Sequence, residues 1–200
     1  MTDFEDSFQT ILENAEGIFK DKGSKFLAFA FPVTTEKEIS EIQKTLKKKY
    51  YDARHHAYAF RLGADKKNFR ASDDGEPSNS SGAPILGQIR SFDLTDILIV
   101  VVRYFGGTKL GIPGLINAYK SAAVEAIIQS KIIHKTVNQN LTAKCSYSLL
   151  NEIMKIVKDD DLEILNQSFD TDCTVTLSIR LSKFRKIEEK LRNIHGIELL

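Results

Sequence analysis

Residues 96–130 read DILIVVVRYFGGTKLGIPGLINAYKSAAVEAIIQS, and their reading decides the fold. The run Ile97–Val102 is wholly apolar and mostly β-branched, with the length of a strand, so a strand is expected over 96–104. A strand that is apolar on both faces belongs to a sheet covered by helices. Further on, Leu115, Ile116, Tyr119, Ala122, Ala123, Ala126 and Ile127 recur at helical spacing and predict a helix over 113–130. The strand delivers Arg103 and Tyr104 to its end. Gly106, Gly107, Gly111 and Gly114 then let the backbone approach a ligand closely. Pro113 pre-sets the first helical turn. A helix start exposes unpaired N–H groups and a partial positive charge. With Arg103 and Lys109 beside it, the segment reads as an anion-binding loop. The spacing GGTKLGIPG fits neither a Walker A motif nor GxGxxG. A tight strand–helix connection with glycines for packing alone explains the same residues.

Upstream, a strand is expected over 24–33. A helix follows over 35–50, with Thr35 as cap and Glu38 completing a capping box. Lys44, Lys47, Lys48 and Lys49 crowd its C-terminal end, where cations suit the helix dipole. His55–Leu62 alternates as a strand, residues 63–83 are polar and read as a long loop, and 84–92 as a short helix. The whole is an α+β domain.

Two of these segments could add chemistry. SDDGEPSNSSGAPIL, residues 72–86, sets Asp73, Asp74 and Glu76 within four positions, followed by Pro77. Such carboxylates could hold Mg²⁺, although a D-G pair equally marks a solvated turn. In DARHHAYAF, residues 52–60, His55 and His56 fall on opposite faces of a strand. They cannot share one ion without a bulge, and either is a candidate general base. No Ser/His/Asp or Cys/His set with a supporting motif is found.

Downstream, a boundary is expected across 131–138, dividing a domain 1–134 from a domain 135–200. Strand patterns at 139–147, 162–169, 173–181 and 197–200 alternate with helical patterns ending near Lys158 and Gly196. Ser182 reads as the cap of the second of these helices. The order βαββαβ is ferredoxin-like.

Composition narrows the class. The chain has 200 residues, 42% hydrophobic and 28% charged, enough for a packed core without staples. Two cysteines, Cys145 and Cys173, lie in no metal-ligand spacing and read as small buried hydrophobes. The N-terminus lacks the pattern of a secretory signal, and no apolar run approaches the ~20 residues that span a bilayer. A cytoplasmic protein with no membrane contact is expected. A net charge of +1 argues against a global nucleic-acid-binding surface and leaves room only for a local patch.

DARHHAYAFRLG, SDDGEPSNSSGAPIL and VVRYFGGTKLGIPGLINAY, in this order, resemble the IMPACT/YigZ family, and KDKGSKFLAFAFPV is similar to its opening motif. The resemblance covers about residues 20–130. It implies an N-terminal fold like domain 2 of ribosomal protein S5 and a C-terminal one like domain V of elongation factor G. Its eukaryotic relatives regulate translation initiation and carry an extra N-terminal RWD domain, for which this bacterial-type chain has no residues to spare. The resemblance implies no established reaction and no cofactor. The motif residues carried over are His55, His56, Asp73, Asp74, Glu76, Pro77, Arg103, Tyr104, Gly106, Gly107, Lys109, Gly111 and Gly114. SNSSG, Pro113 and Asn117 depart from the family pattern, and Asn117 stands where relatives carry a base.

The leading expectation is a translation-associated regulatory or binding protein that contacts RNA, the ribosome or another anionic ligand through these loops. Its ferredoxin-like domain would offer a second contact surface. The alternative is an Mg²⁺-dependent enzyme acting on a phosphorylated small molecule or nucleotide, with His55 or His56 as base.

Overall fold

A computed structural model describes residues 6–200. The chain divides into two compact units, one of Phe8–Lys135 and one joining Asp6 and Ser7 to Thr136–Leu200. The C-terminal unit therefore takes in residues from the start of the chain, which a single cut near residue 134 does not describe.

Along the first unit, whose outermost strands reach one residue beyond it, the elements run β1 (Ser7–Ile11), β2 (Ala15–Asp21), β3 (Ser24–Pro32), α1 (Glu36–Lys49), β4 (His55–Leu62), β5 (Asn68–Ser72), α2 (Gly82–Ser91), β6 (Ile97–Tyr104), α3 (Gly111–Ile128) and β7 (Ile132–Thr136). Strands β2-β3-β6-β4-β5 form one sheet, and β1 pairs with β7 in a separate ribbon. All four pairings within the large sheet are antiparallel.

Strand β6 sits at the centre and its alternation builds two cores. Ile97, Ile99 and Val101 pack with Ala57, Ala59, Ile85, Ile89, Tyr119 and Ala122 beneath α2 and α3. Leu98, Val100 and Val102 pack with Phe29, Phe60, Ile39 and Leu46 beneath α1. Each such aliphatic side chain contributes about 1.5–3 kcal/mol on burial. The expected strand covered on both faces is thus present. Thr35 caps α1 by accepting the Glu38 N–H at 3.3 Å, while the Glu38 carboxylate reaches back to the Thr34 N–H at 2.8 Å, one residue earlier than a capping box requires.

Several boundaries differ from the sequence reading. Strands β1, β2 and β7 were not foreseen, because their polar residues mask the alternation. The polar stretch 63–83 holds an edge strand, β5, whose outward side chains are mostly exposed. Helix α3 starts at Gly111, not Pro113. Pro113 still costs no hydrogen bond there, since the first four N–H groups of a helix have no intrahelical partner.

The second unit runs β8 (Asn138–Cys145), α4 (Leu150–Asp159), β9 (Glu163–Phe169), β10 (Cys173–Arg180), α5 (Leu181–Arg192) and β11 (Glu198–Leu199). Its sheet order, β11-β8-β10-β9, is that of a βαββαβ ferredoxin-like domain. Leu141, Ala143, Val175, Leu177 and Ile179 meet Ile153, Val157, Ile187 and Leu191 in its core. Ser182 does not cap α5, because Arg180 holds that position. Asp6 does the capping from the other end of the chain. Its carboxylate accepts the Ser182 N–H at 3.1 Å and both Arg180 Nε and Nη2 at 2.7 Å.

Candidate functional site

The register of the large sheet decides which sequence candidates meet. His55 lies opposite Arg103 and His56 opposite Val102. Arg103 continues the face of Ile99 and Val101, so Arg103 and His55 emerge on the α3 side of the sheet. His56 and Tyr104 emerge on the α1 side.

On the α3 side, Arg103 Nη1 donates to Glu76 Oε1 at 2.6 Å, and the Tyr119 hydroxyl donates to the same oxygen at 2.7 Å. All three side chains are buried. Burial first, then the Glu76 charge, pushes the Tyr119 phenol far up, so it stays a donor. Arg103 Nε is buried with no partner among the described residues. His55 Nδ1 lies 2.9 Å from the Asp74 carbonyl oxygen. A carbonyl can only accept, so in the neutral ring Nδ1 carries the proton and Nε2 the lone pair.

Arg103, Glu76 and His55 line a cleft of ≈ 420 Å³ with Arg54, Pro77, Phe105, Lys109 and the first residues of α3. Among its lining residues Arg54, Arg103 and Lys109 are cationic and Glu76 alone is acidic, and Arg103 is already paired with Glu76. The first turn of α3 has no side-chain cap among the described residues, so its N–H groups open toward this end. Phe105, Leu110, Ile112 and Leu115 supply apolar walls, and Phe105 and Ile112 are about half exposed. A mostly apolar cleft with a few converging polar groups is the usual form of a ligand site.

The three carboxylates of DDGE have separate partners. Asp73 turns under α2: its Oδ1 accepts the N–H groups of Ser81 and Gly82 at 3.0 and 2.9 Å, and its Oδ2 the Asn79 N–H at 2.8 Å. Asp74 turns to the α1 side, where it accepts the His56 N–H at 2.7 Å and pairs with Lys47 at 3.1 Å. Only Glu76 enters the cleft. The shared Mg²⁺ set weighed from the sequence is therefore not assembled, and among the described residues no three His, Cys, Asp or Glu side chains group to hold a metal ion.

The remaining candidates sort accordingly. His55, Glu76, Pro77, Arg103, Lys109 and Gly111 line the cleft; His56, Asp73, Asp74, Tyr104, Gly106, Gly107 and Gly114 do not. His56 is buried beneath α1, and burial lowers its pKa despite the nearby Asp74. The Tyr104 hydroxyl donates to Asp52 at 2.8 Å, and burial and that carboxylate push its pKa up to about 12. Gly106 packs so tightly on the β2–β3 turn that a Cβ would overlap the Gly23 carbonyl carbon and the Ser24 nitrogen. Gly107 has a positive φ of 90°. Sequence reasoning missed Arg54, Phe105, Leu110 and Ile112. Arg54 and Phe105 flank the motif residues His55 and Tyr104, and that adjacency was the available signal.

An α+β domain with this loop cleft, followed by a ferredoxin-like domain, defines a two-domain class. The Impact N-terminal domain family matches residues 22–127. The chain is 33% identical over 147 residues to IMPACT family member YvyE of Bacillus subtilis, covering 74% of this chain and 68% of that one. It is 30% identical over 172 residues to IMPACT family member YigZ of Escherichia coli, covering 85% and 84%. A solved structure described as a crystal structure of an hypothetical protein matches 98% of this chain and 97% of its own, with 27% identity and a TM-score of 0.72. The chain belongs to the IMPACT family. Among the described residues no helix is long and apolar enough to cross a membrane.

Proposed function

We propose that this protein is a translation-associated binding protein that takes an anionic ligand, RNA phosphate foremost, in the cleft at the start of α3. The observation that carries the reading is a cleft at that helix start lined by the exposed Arg54 and Lys109, whose one carboxylate, Glu76, is already paired with Arg103. Helix N-termini and cationic side chains together favour phosphate. The half-exposed Phe105 ring offers a surface on which an unpaired base can stack. Family membership supports the link to translation, through the regulatory role that the resemblance implies for eukaryotic relatives.

The ferredoxin-like sheet favours RNA less. The face away from its helices carries Thr142, Lys144, Thr174 and Thr176 and, among the described residues, no aromatic ring of the kind that stacks bases on such sheets. The cleft is therefore the contact to test. Ribosomes or total RNA are co-sedimented with the protein at low and at high salt. Binding at low salt that weakens as salt rises is expected, and no binding at low salt overturns the reading.

A further inference from the structure

Cys145 ends β8, Cys173 begins β10, and the register sets them directly opposite each other on adjacent antiparallel strands. Directly opposed residues have Cα atoms about 4.5 or 5.5 Å apart, according to their place in the ladder. Both separations fall inside the about 4.4–6.8 Å that a disulfide spans. The two side chains also share one face, since both belong to the core formed with Ala143 and Val175. Both are free thiols. Beside them Lys144 pairs with Asp172 at 3.1 Å, which ties the same two strand ends together. A role as core filler alone requires burial, but not this register.

We propose that Cys145 and Cys173 form a reversible dithiol–disulfide couple, oxidised by a small disulfide of the glutathione type. Cys145 reacts first, because it borders a cleft of ≈ 390 Å³ with Lys144, Asp172 and Glu198, whereas Cys173 is fully buried. The Cys145 thiolate attacks one sulfur of the small disulfide and releases one thiol. The Cys173 thiolate then attacks Cys145 Sγ in the mixed disulfide and releases the second. Two protein thiols become one disulfide, and one small disulfide becomes two thiols, so atoms and electrons balance. Burial raises the Cys145 pKa, which keeps the couple unreactive until the strand ends fray. In a reducing compartment the couple rests as thiols.

The full chain is incubated with oxidised glutathione near pH 8, both in buffer and in urea just below the unfolding transition. It is then denatured and alkylated. The expected result is joint loss of both thiols and an intact mass lower by two hydrogens, reversed by dithiothreitol. Cys173→Ser should stop at a glutathione adduct on Cys145. Two alkylatable thiols after both treatments, or separate glutathione adducts on each cysteine of the unsubstituted chain, overturns the proposal.

Discussion

Arg103 at the end of β6 donates to Glu76 of the DDGE loop across 2.6 Å, and only 9% and 3% of the two side chains is exposed. A pair buried to this degree is costly to break, because removing one partner strands the other charge away from water. Glu76→Ala should destabilise the protein by about 3–5 kcal/mol in urea unfolding. Tyr119→Phe, which removes one donor to the same carboxylate, should cost about 1–2 kcal/mol. Replacing both charges by Glu76→Leu with Arg103→Met should cost less than Glu76→Ala alone, and a larger loss would show that the pair is a net source of stability.

Asp73 performs at the start of α2 what Ser81, in the N-cap position, does not: Ser81 forms no side-chain cap bond there. Asp73→Ala removes the acceptor for Ser81, Gly82 and Asn79. A loss of about 1–2 kcal/mol is expected from the cap alone, measured as a lower urea midpoint with an unchanged slope.

Acid should weaken the fold through three aspartates. Burial opposes ionisation of Asp73 and Asp74, but hydrogen bonds outweigh it and hold both below the ordinary carboxylate range: those of Gly82, Ser81 and Asn79 at Asp73, and those of His56 and Lys47 at Asp74. The bonds of Arg180 and Ser182 hold Asp6 lower still. The folded pKa values lie below the unfolded value of about 3.9, so this stability is complete above about pH 5 and is lost as pH falls through about 4 and beyond. Urea midpoints measured from neutral pH downward should show that decline. Asp73→Asn should reduce it, and a midpoint unchanged down to the acid limit would contradict the assignment.

The cleft cations can be separated from folding. Arg54 and Lys109 are exposed, so Arg54→Ala and Lys109→Ala should leave the thermal midpoint unchanged. Each should weaken RNA association and lower its log–log salt dependence by about one unit. Equal binding by the double variant would remove the cleft from the interaction.

Gly106 tests the scaffold instead of the ligand. A Cβ there overlaps backbone atoms of Gly23 and Ser24, so relief requires moving the β2–β3 turn. Gly106→Ala should lower the thermal midpoint markedly, whereas Gly87→Ala, where an added Cβ meets nothing within 4 Å, should not.

What the sequence revealed follows from how local each signal is. The β6–α3 stretch declared its strand, its glycines and its helix because all three patterns are short-range. Alternation separated His55 from His56, but only the pairing with β6 shows that His55 shares the face of Arg103. The three acids at 73, 74 and 76 looked like one cluster because spacing carries no direction. In space they diverge to the α2 start, to the α1 side and to the buried arginine. Pairings that bridge long stretches of chain left no trace at all: Asp6 with Arg180, or Cys145 with Cys173.

The bond between Asp6 and Arg180 has a consequence for biosynthesis. Asp6 leaves the ribosome before the whole Phe8–Lys135 unit and Arg180 after it. The unit from Phe8 to Lys135 can complete its sheet while the chain is still growing, since domains fold as units during synthesis. The C-terminal unit must wait for Arg180 to emerge before Asp6 can lock onto it. A product truncated between Lys135 and Arg180 would keep the cleft but leave the Asp6 segment without its partner.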